Sequence, residues 1–141
     1  MVNKALVAGK LESLMRCIKR IEAKRPPSLA ALQEDLDIQD IMVVNLERAV
    51  QICVDLCLHW LSSKGHSVPP TMSETFSFAA KEGFLPLTLS DRLGRAVGFR
   101  NIAVHQYEKI DWAVVFAIAW KHMDDFREFS GYMANTLIDE Q

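Results

Sequence analysis

Apolar residues recur along this chain at steps of three and four, and this spacing is the feature that most constrains its fold. In the first segment Val7, Leu11, Leu14, Ile18 and Ile21 follow the pattern, which places them on one face of an α-helix. No alternating pattern typical of strands competes with it. The spacing therefore predicts a protein built from α-helices alone.

Helix-breaking residues divide the first half of the chain. Pro26 and Pro27 end the first helix, because proline cannot continue a helix and restricts the residue before it. A second, long helix is predicted from about residue 34 to Ser63. Its apolar arc is broad, so we expect it to be buried against two or more neighbours.

Capping signals divide the second half. Thr71 followed by Glu74 fits a capping box at the start of a short helix that ends near Gly83. Pro86 suits the first turn of the next helix. Asp111 suits the N-cap of one last helix that continues past Phe126.

These segments predict an all-α fold, an up-and-down helical bundle of four main helices plus one short helix. The chain has 141 residues, which is close to the common size of one domain, so we expect a single domain over residues 1–141. Neither a linker-like stretch nor an internal repeat interrupts it.

The charge of the chain excludes one class of function and leaves another open. Sixteen basic and 18 acidic residues give a net charge of −2, which is incompatible with a strongly basic nucleic-acid binder but not with a local basic site. Residues 1–25 hold seven basic and two acidic residues, a net +5, and residues 34–40 hold four acids. We interpret these runs as solvated faces, the usual role of charge runs.

Cysteine usage and hydropathy bear on the compartment. The three cysteines, Cys17, Cys53 and Cys57, form no CxxC pair, which is typical of reduced thiols. The chain begins without an apolar run long enough for a signal peptide, and no apolar stretch approaches the length of a membrane span. We therefore expect a cytoplasmic protein that does not bind membranes.

Residues able to bind a phosphodiester and move protons around it concentrate within sixteen positions. Arginine offers a planar cationic fork for phosphate oxygens, histidine exchanges a proton near neutrality, and tyrosine hydrogen-bonds or stacks on a base. The residues are Arg92, Arg95, Arg100, Asn101, His105 and Tyr107.

Spacing alone leaves the function of this cluster open. Arg100 and His105 are five residues apart, which separates them by roughly 140° on a straight helix. We expect the helix to end near His105 and a loosened end to turn it back toward Arg100. A histidine at a helix end more often makes only a local hydrogen bond.

The stretch Gly98–Tyr107, GFRNIAVHQY, resembles the signature of the HEPN-domain ribonucleases, and in particular that of the HepT-like toxin family. That family's motif is Arg-x4-His-x-Tyr. Arg100, His105 and Tyr107 occupy its three defining positions, and Asn101 matches the usual asparagine after the arginine. The lead-in GFLPLTLSDRLGRAVG is also similar to the family pattern.

The resemblance implies a small helical domain that forms a symmetric homodimer, with both copies of the motif facing a shared cleft. It implies a metal-independent endoribonuclease that needs no cofactor and acts on RNA as the toxin of a toxin–antitoxin pair. The partner it implies is an MNT-type nucleotidyltransferase antitoxin, which silences the toxin by adding AMP to Tyr107.

The chemistry of metal-free RNA cleavage gives each motif residue a role. His105 would act as general base or acid, and Arg100 would hold the phosphate and neutralise charge on the phosphorane. Asn101 and Tyr107 would orient the substrate or the histidine. AMP on Tyr107 would add bulk and negative charge beside them.

Other residues have weaker claims. One helix face carries the polar residues Arg48, Gln51, Asp55 and His59. They form either a wall of the RNA cleft or a set of residues that support His105 from behind. We favour a third interpretation, an exposed stripe with helix ion pairs. Cys53 and Cys57 are more typical of a buried apolar site than of a metal site. Arg92 and Arg95 either extend the phosphate path or are solvated.

Two other interpretations stay open at this point. One is a non-catalytic HEPN-like module that binds a nucleotidyltransferase or nucleotides without cleaving RNA. The other is a helical dimer whose His105 only ends a helix. Gly94 and Gly98, one turn apart, permit close helix packing or a dimer seam.

Overall fold

The computed structural model describes residues 1–139 and consists of α-helices joined by short connections. The helices are α1 Lys4–Lys24, α2 Leu29–Glu34, α3 Leu36–Ser63, α4 Thr75–Lys81, α5 Leu87–His105, α6 Trp112–Lys121 and α7 Met123–Asp139, with single 3₁₀ turns at Met72–Glu74 and Tyr107–Lys109. The predicted all-α class is confirmed, but the predicted number of helices is wrong.

Side-chain caps explain where three of the helices begin. Asn3 Oδ1 accepts a hydrogen bond from the Leu6 amide at 3.1 Å, and Asp35 Oδ1 accepts one from the Ile38 amide at 3.1 Å. Asp111, the predicted N-cap of the last segment, accepts from the Ala113 amide at 2.9 Å. Each cap satisfies an amide that has no partner within its own helix.

Two differences from the predicted boundaries lie in short segments. Six residues after the proline pair form α2, with the Ser28 hydroxyl accepting from the Ala31 amide. The Thr71 hydroxyl caps no backbone amide, so the predicted capping box does not form. Its Oγ1 lies 3.2 Å from Ser73 Oγ, and α4 begins only after a 3₁₀ turn. The predicted end near Gly83 is correct, since this glycine has a φ of +83°, which favours glycine after a helix.

The predicted last helix is divided at His122 into α6 and α7. Asp124 and Asp125 lie in the first turn of α7, where carboxylates interact favourably with the positive end of the helix dipole. Asp125 also accepts from Arg92 Nε of α5 at 2.8 Å and lies 3.2 Å from His122 Nδ1. These contacts stabilise the start of α7 at a point where apolar spacing alone predicts one unbroken helix.

The core lies between α1, α3, α5 and α7. The apolar face predicted for α1 is buried at Val7, Leu14, Ile18 and Ile21. Phe76, Phe126 and Phe129 are among the largest fully buried side chains, and Phe76 and Phe129 pack edge to face with ring centroids 6.2 Å apart. No helix within residues 1–139 is long and apolar enough to cross a membrane.

Candidate functional site

The four motif residues lie together at the C-terminal end of α5. Arg100, Asn101 and His105 are on its last turns, and Tyr107 begins the 3₁₀ turn that follows. The Gln106 amide donates the last helical hydrogen bond, 2.8 Å to the Ile102 carbonyl. Phe99 and Ala103 are buried and anchor this end of α5 to the core. They lie on the side of the helix opposite Asn101 and His105.

Arg100 and His105 project from different sides of α5. The helix stays regular through His105, so the two side chains are roughly 140° apart around the axis and about 7.5 Å apart along it. The expected bend that would turn His105 back toward Arg100 is therefore absent. A single copy of the chain does not bring the two side chains together on one face.

His105 is exposed, and it forms no hydrogen bond or ion pair with any group that the structure describes. Asn101 is exposed as well, and Arg100 Nη1 donates a long hydrogen bond of 3.4 Å to its Oδ1. Both imidazole nitrogens thus remain accessible to a substrate. This placement differs from that of a histidine that only makes a local contact at a helix end.

Arg100 lies beside Glu47 of α3, a neighbour that the sequence did not indicate. Burial raises the pKa of the Glu47 carboxyl, and the positive charge of Arg100 opposes that effect without cancelling it. Arg100 is half-buried. The guanidinium therefore lies within electrostatic reach of a carboxyl group that belongs to another helix.

Tyr107 is held by a second carboxyl of α3. Its hydroxyl donates a hydrogen bond of 2.9 Å to Asp40 Oδ1, and its ring meets Trp112 edge to face at 6.1 Å. Burial, this hydrogen bond and the negative charges of Asp40 and Glu47 raise the pKa of Tyr107 to about 12. The residue is still 41% exposed, so the side chain is open to solvent.

The polar face of α3 points toward α1 and not toward the motif. Asp55 Oδ2 lies 3.4 Å from Lys10 Nζ, Asp55 Oδ1 accepts from Gln51 Nε2 at 2.8 Å, and His59 Nε2 accepts from the Asn3 amide at 3.0 Å. Asp55 thus makes an ion pair, but Gln51, Asp55 and His59 are half-buried rather than exposed, so the favoured interpretation, an exposed stripe of helix ion pairs, stays a prediction. Neither His59 nor Asp55 forms a hydrogen bond or ion pair with His105.

The remaining candidates are Arg92, Arg95, Cys53 and Cys57, of which only Arg95 is exposed to solvent. Arg92 Nε and Nη2 pair with Asp125 and Glu128 of α7 at 2.8 and 3.0 Å, so this guanidinium is engaged within the fold, whereas Arg95 is exposed. Cys53 and Cys57 are fully buried, and burial raises the pKa of both thiols. Among the side chains that the structure describes, no group of three or more His, Cys, Asp and Glu residues is placed to hold a metal ion.

One face of α5 beside His105 is open. Gly94, Gly98, Asn101 and His105 follow one another at steps of four, three and four, which places them on one side of the helix. A Cβ atom at Gly94 or Gly98 would meet nothing within 4 Å. Another chain or a substrate can thus come close to the helix backbone next to the imidazole.

Comparison with known proteins decides the family. A family model described as "Ribonuclease HepT-like" matches residues 14–133, which includes the whole motif. The chain belongs to the HepT-like ribonuclease family. It is 30% identical over 124 residues to the mRNA nuclease HepT of Shewanella oneidensis, a match that covers 88% of this chain and 92% of that one.

Solved structures agree with this HepT-like assignment. The tri-AMPylated Shewanella oneidensis HEPN toxin in complex with MNT antitoxin superposes with a TM-score of 0.86 at 28% identity, covering 92% of this chain and 97% of that chain. The cytosolic protein YutE of Bacillus subtilis matches with a TM-score of 0.85 at 12% identity, covering 99% of this chain and 93% of that chain, and shows the shared fold alone. The predicted family and its ribonuclease class are confirmed.

Proposed function

We propose that this HepT-like ribonuclease is the toxin of a toxin–antitoxin pair, a metal-independent endoribonuclease whose site is completed by a second copy of the chain. The observation that carries the proposal is that exposed Asn101, His105 and Tyr107 lie together with half-buried Arg100 at the end of α5, and that His105 has no hydrogen-bond or ion-pair partner in the part of the chain that the structure describes. The relative from Shewanella oneidensis is named as an mRNA nuclease, which supports RNA as the substrate class.

The geometry of α5 supports a composite site. One His105 and one Arg100 on different sides of a straight helix leave a single copy without a convergent acid–base pair. A twofold axis beside the open face of Gly94, Gly98 and His105 would oppose two imidazoles and supply the second acid–base group that a single copy lacks. We infer this homodimer as part of the proposal. We also infer that residues 1–141 form a single domain.

Exposed apolar residues on the adjoining surface support the same contact. Phe99 and Val114 line a cavity of about 290 Å³ between α5 and α6, and Ile102, Val104 and Val114 are 42%, 45% and 44% exposed. Apolar side chains exposed together near a functional motif are typical of a protein–protein interface. A second copy of the chain would cover them.

The proposed reaction follows from these groups. The ribose 2′ oxygen attacks the adjacent phosphorus, the bond from phosphorus to the 5′ oxygen breaks, and a 2′,3′-cyclic phosphate forms. His105 of one copy takes the 2′ proton, and a protonated His105 of the other copy donates a proton to the leaving 5′ oxygen. Arg100 neutralises charge on the phosphorane, which Asn101 helps to orient.

Silencing would act on Tyr107. The solved relative is tri-AMPylated and bound to an MNT antitoxin, which supports transfer of AMP to this tyrosine by a nucleotidyltransferase partner. The tyrosine oxygen would bond to the α-phosphorus of ATP, pyrophosphate would leave, and the phenolic proton would pass to a base. The added phosphate would lie near Arg100 and exclude RNA by charge and bulk.

A cleavage assay tests the proposal. The purified protein should cut single-stranded RNA with EDTA present and leave 2′,3′-cyclic phosphate ends, whereas His105→Ala should be at least about 100-fold slower, the usual scale for losing a general base. His66→Ala is the matched control, since His66 pairs with Glu82 away from the motif. Intact RNA with both wild-type protein and His105→Ala would favour a non-catalytic binding module.

A further inference from the structure

A groove lined by cationic side chains lies between α1 and α3, separate from the motif. It has a volume of about 540 Å³, and Lys10, Arg16 and Arg20 of α1 line it together with Arg48 of α3. Asn45 and Gln51 add polar groups, and no carboxylate is among its lining residues. The basic run predicted as a solvated face therefore forms one wall of a concave surface.

Most of this charge is not neutralised within the fold. Lys10 lies 3.4 Å from Asp55, but Arg16, Arg20 and Arg48 form no ion pair with any residue that the structure describes. Arg16 and Arg20 are one turn apart, where like charges destabilise a helix. These guanidinium groups are exposed and not paired with a carboxylate, so their charge is available to an anionic ligand.

The arginines converge across the groove. Arg16 from α1 and Arg48 from α3 both act to lower the pKa of Cys17, although burial of the thiol has the larger, opposite effect. Cys17 lines the groove from α1. Two guanidinium groups from different helices are thus close to the same point, where they can contact one ligand together.

The groove lies next to the motif across a single ridge. Glu47 of α3 faces Arg100, and the next residue, Arg48, faces α1. Val44, which is 39% exposed, lies on the surface between them. Since a helix with its side chains is about 10 Å wide, a strand bound at Arg100 reaches the groove by crossing α3 once.

We propose that this groove binds the sugar-phosphate backbone of single-stranded RNA and extends the substrate site of the ribonuclease. The inference rests on the proposed function, which makes RNA the ligand of the adjacent motif. Guanidinium forks fit phosphate oxygens in bidentate geometry, and a flexible single strand can follow the surface from the motif into the groove. Such contacts position the strand without reading its sequence.

Binding and cleavage should separate in the test. Fluorescence anisotropy with a labelled single-stranded RNA, measured in a His105→Ala background that leaves it intact, reports the groove directly. Arg16→Ala, Arg20→Ala and Arg48→Ala should each weaken binding about fivefold at low salt and reduce the slope of log K against log salt by about 0.7. Lys19→Ala removes the same charge from α1 outside the groove and should change the affinity less than twofold.

Cleavage by the otherwise wild-type protein gives a second readout. Each groove variant should raise KM for the long RNA and leave cleavage of a dinucleotide unchanged, because a dinucleotide cannot reach the groove. The melting temperature should change little, since Arg16, Arg20 and Arg48 are exposed and form no ion pair with the described residues. Wild-type RNA affinity and salt slope in all three variants would overturn the proposal, as would an equal loss in Lys19→Ala. If the groove variants bind RNA more weakly but the wild-type protein cuts no RNA, the groove is supported and the proposed nuclease activity is refuted.

Discussion

The hydroxyl of Tyr107 donates a hydrogen bond of 2.9 Å to Oδ1 of Asp40, joining the turn after α5 to the second turn of α3. The contact fixes the last motif residue although the two side chains are 67 residues apart. Burial and this contact also raise the pKa of Tyr107 from 10.0 to about 12, so the phenol, protonated at neutral pH in either case, holds its proton more tightly. A base must therefore take this proton whenever the oxygen is modified.

Tyr107→Phe should abolish AMPylation by the proposed nucleotidyltransferase partner, since the nucleophilic oxygen is lost. Mass spectrometry of the protein co-expressed with the proposed antitoxin should find AMP on Tyr107 in the wild type and none in the variant. Tyr132 is the other tyrosine of the chain, so Tyr132→Phe is the matched control and should be modified like the wild type. AMP found on another residue of the Tyr107→Phe protein would contradict the assignment.

Asp40→Asn should lower the pKa of Tyr107 from about 12 toward its ordinary value of 10.0, because the amide still accepts a hydrogen bond but carries no charge. A pKa raised on folding stabilises the fold fully below pH 10.0 and ceases to do so as the pH rises through about 12. The variant keeps less of this stabilisation, so it should be less stable than the wild type at pH 7, and the two should converge as the pH rises through about 12. Near-ultraviolet titration of tyrosinate, with Tyr107→Phe to assign the signal, measures the shift, and an unchanged titration curve would count against the role of Asp40.

Arg100→Ala should abolish growth arrest in cells without unfolding the protein, because the side chain is half-buried at the surface and contributes no apolar core. Arg100→Lys should restore only part of the activity, since lysine keeps the charge but loses the bidentate fork. Growth curves after induction and thermal melts of the purified variants measure the two effects. Full toxicity of Arg100→Ala would refute its place in the site.

Gly98→Trp should separate the two copies of the chain and prevent RNA cleavage. The position has open space for a side chain within one copy, so the variant should fold, and replacing a helical glycine removes a helix-weakening residue. Gly131→Trp, at an equally open glycine of α7, is the control and should leave the assembly intact. Light scattering after size-exclusion chromatography gives the mass, and a dimer of normal activity in Gly98→Trp would exclude this face as the seam.

Glu22→Gln should reduce the free energy of unfolding by about 0.5–1 kcal/mol at pH 7, a typical value for a partly exposed ion pair. Glu22 of α1 accepts a short hydrogen bond from Arg127 of α7, which lowers the pKa of the Glu22 carboxyl. A lowered folded-state pKa gives stability above the unfolded-state value, and this stability is lost as the pH falls through the folded-state value. Urea midpoints should differ between wild type and variant at pH 7 and converge at low pH; a constant difference would contradict this.

The helical class, the start at Asp111 and the motif at residues 98–107 could all be predicted because each is a local pattern in the sequence. The break at His122 could not be predicted from apolar spacing, which continues across it. Its local signal is the acidic pair Asp124 and Asp125, which is typical of a first helical turn. The stabilising contact, from Arg92 to Asp125, comes from a helix about thirty residues earlier and leaves no mark on local periodicity.

The amino-acid sequence by itself determined which chemical groups this protein has and which of them share a helix, because side-chain chemistry and the 3.6-residue repeat are local properties. Tertiary structure alone decided which carboxyl meets which motif residue: Asp40 against Tyr107 and Glu47 beside Arg100. It also turned the arginines of α1 and α3 into one groove. These neighbours are set by how α1, α3 and α5 pack, and packing depends on the shape and burial of the whole core rather than on any one segment.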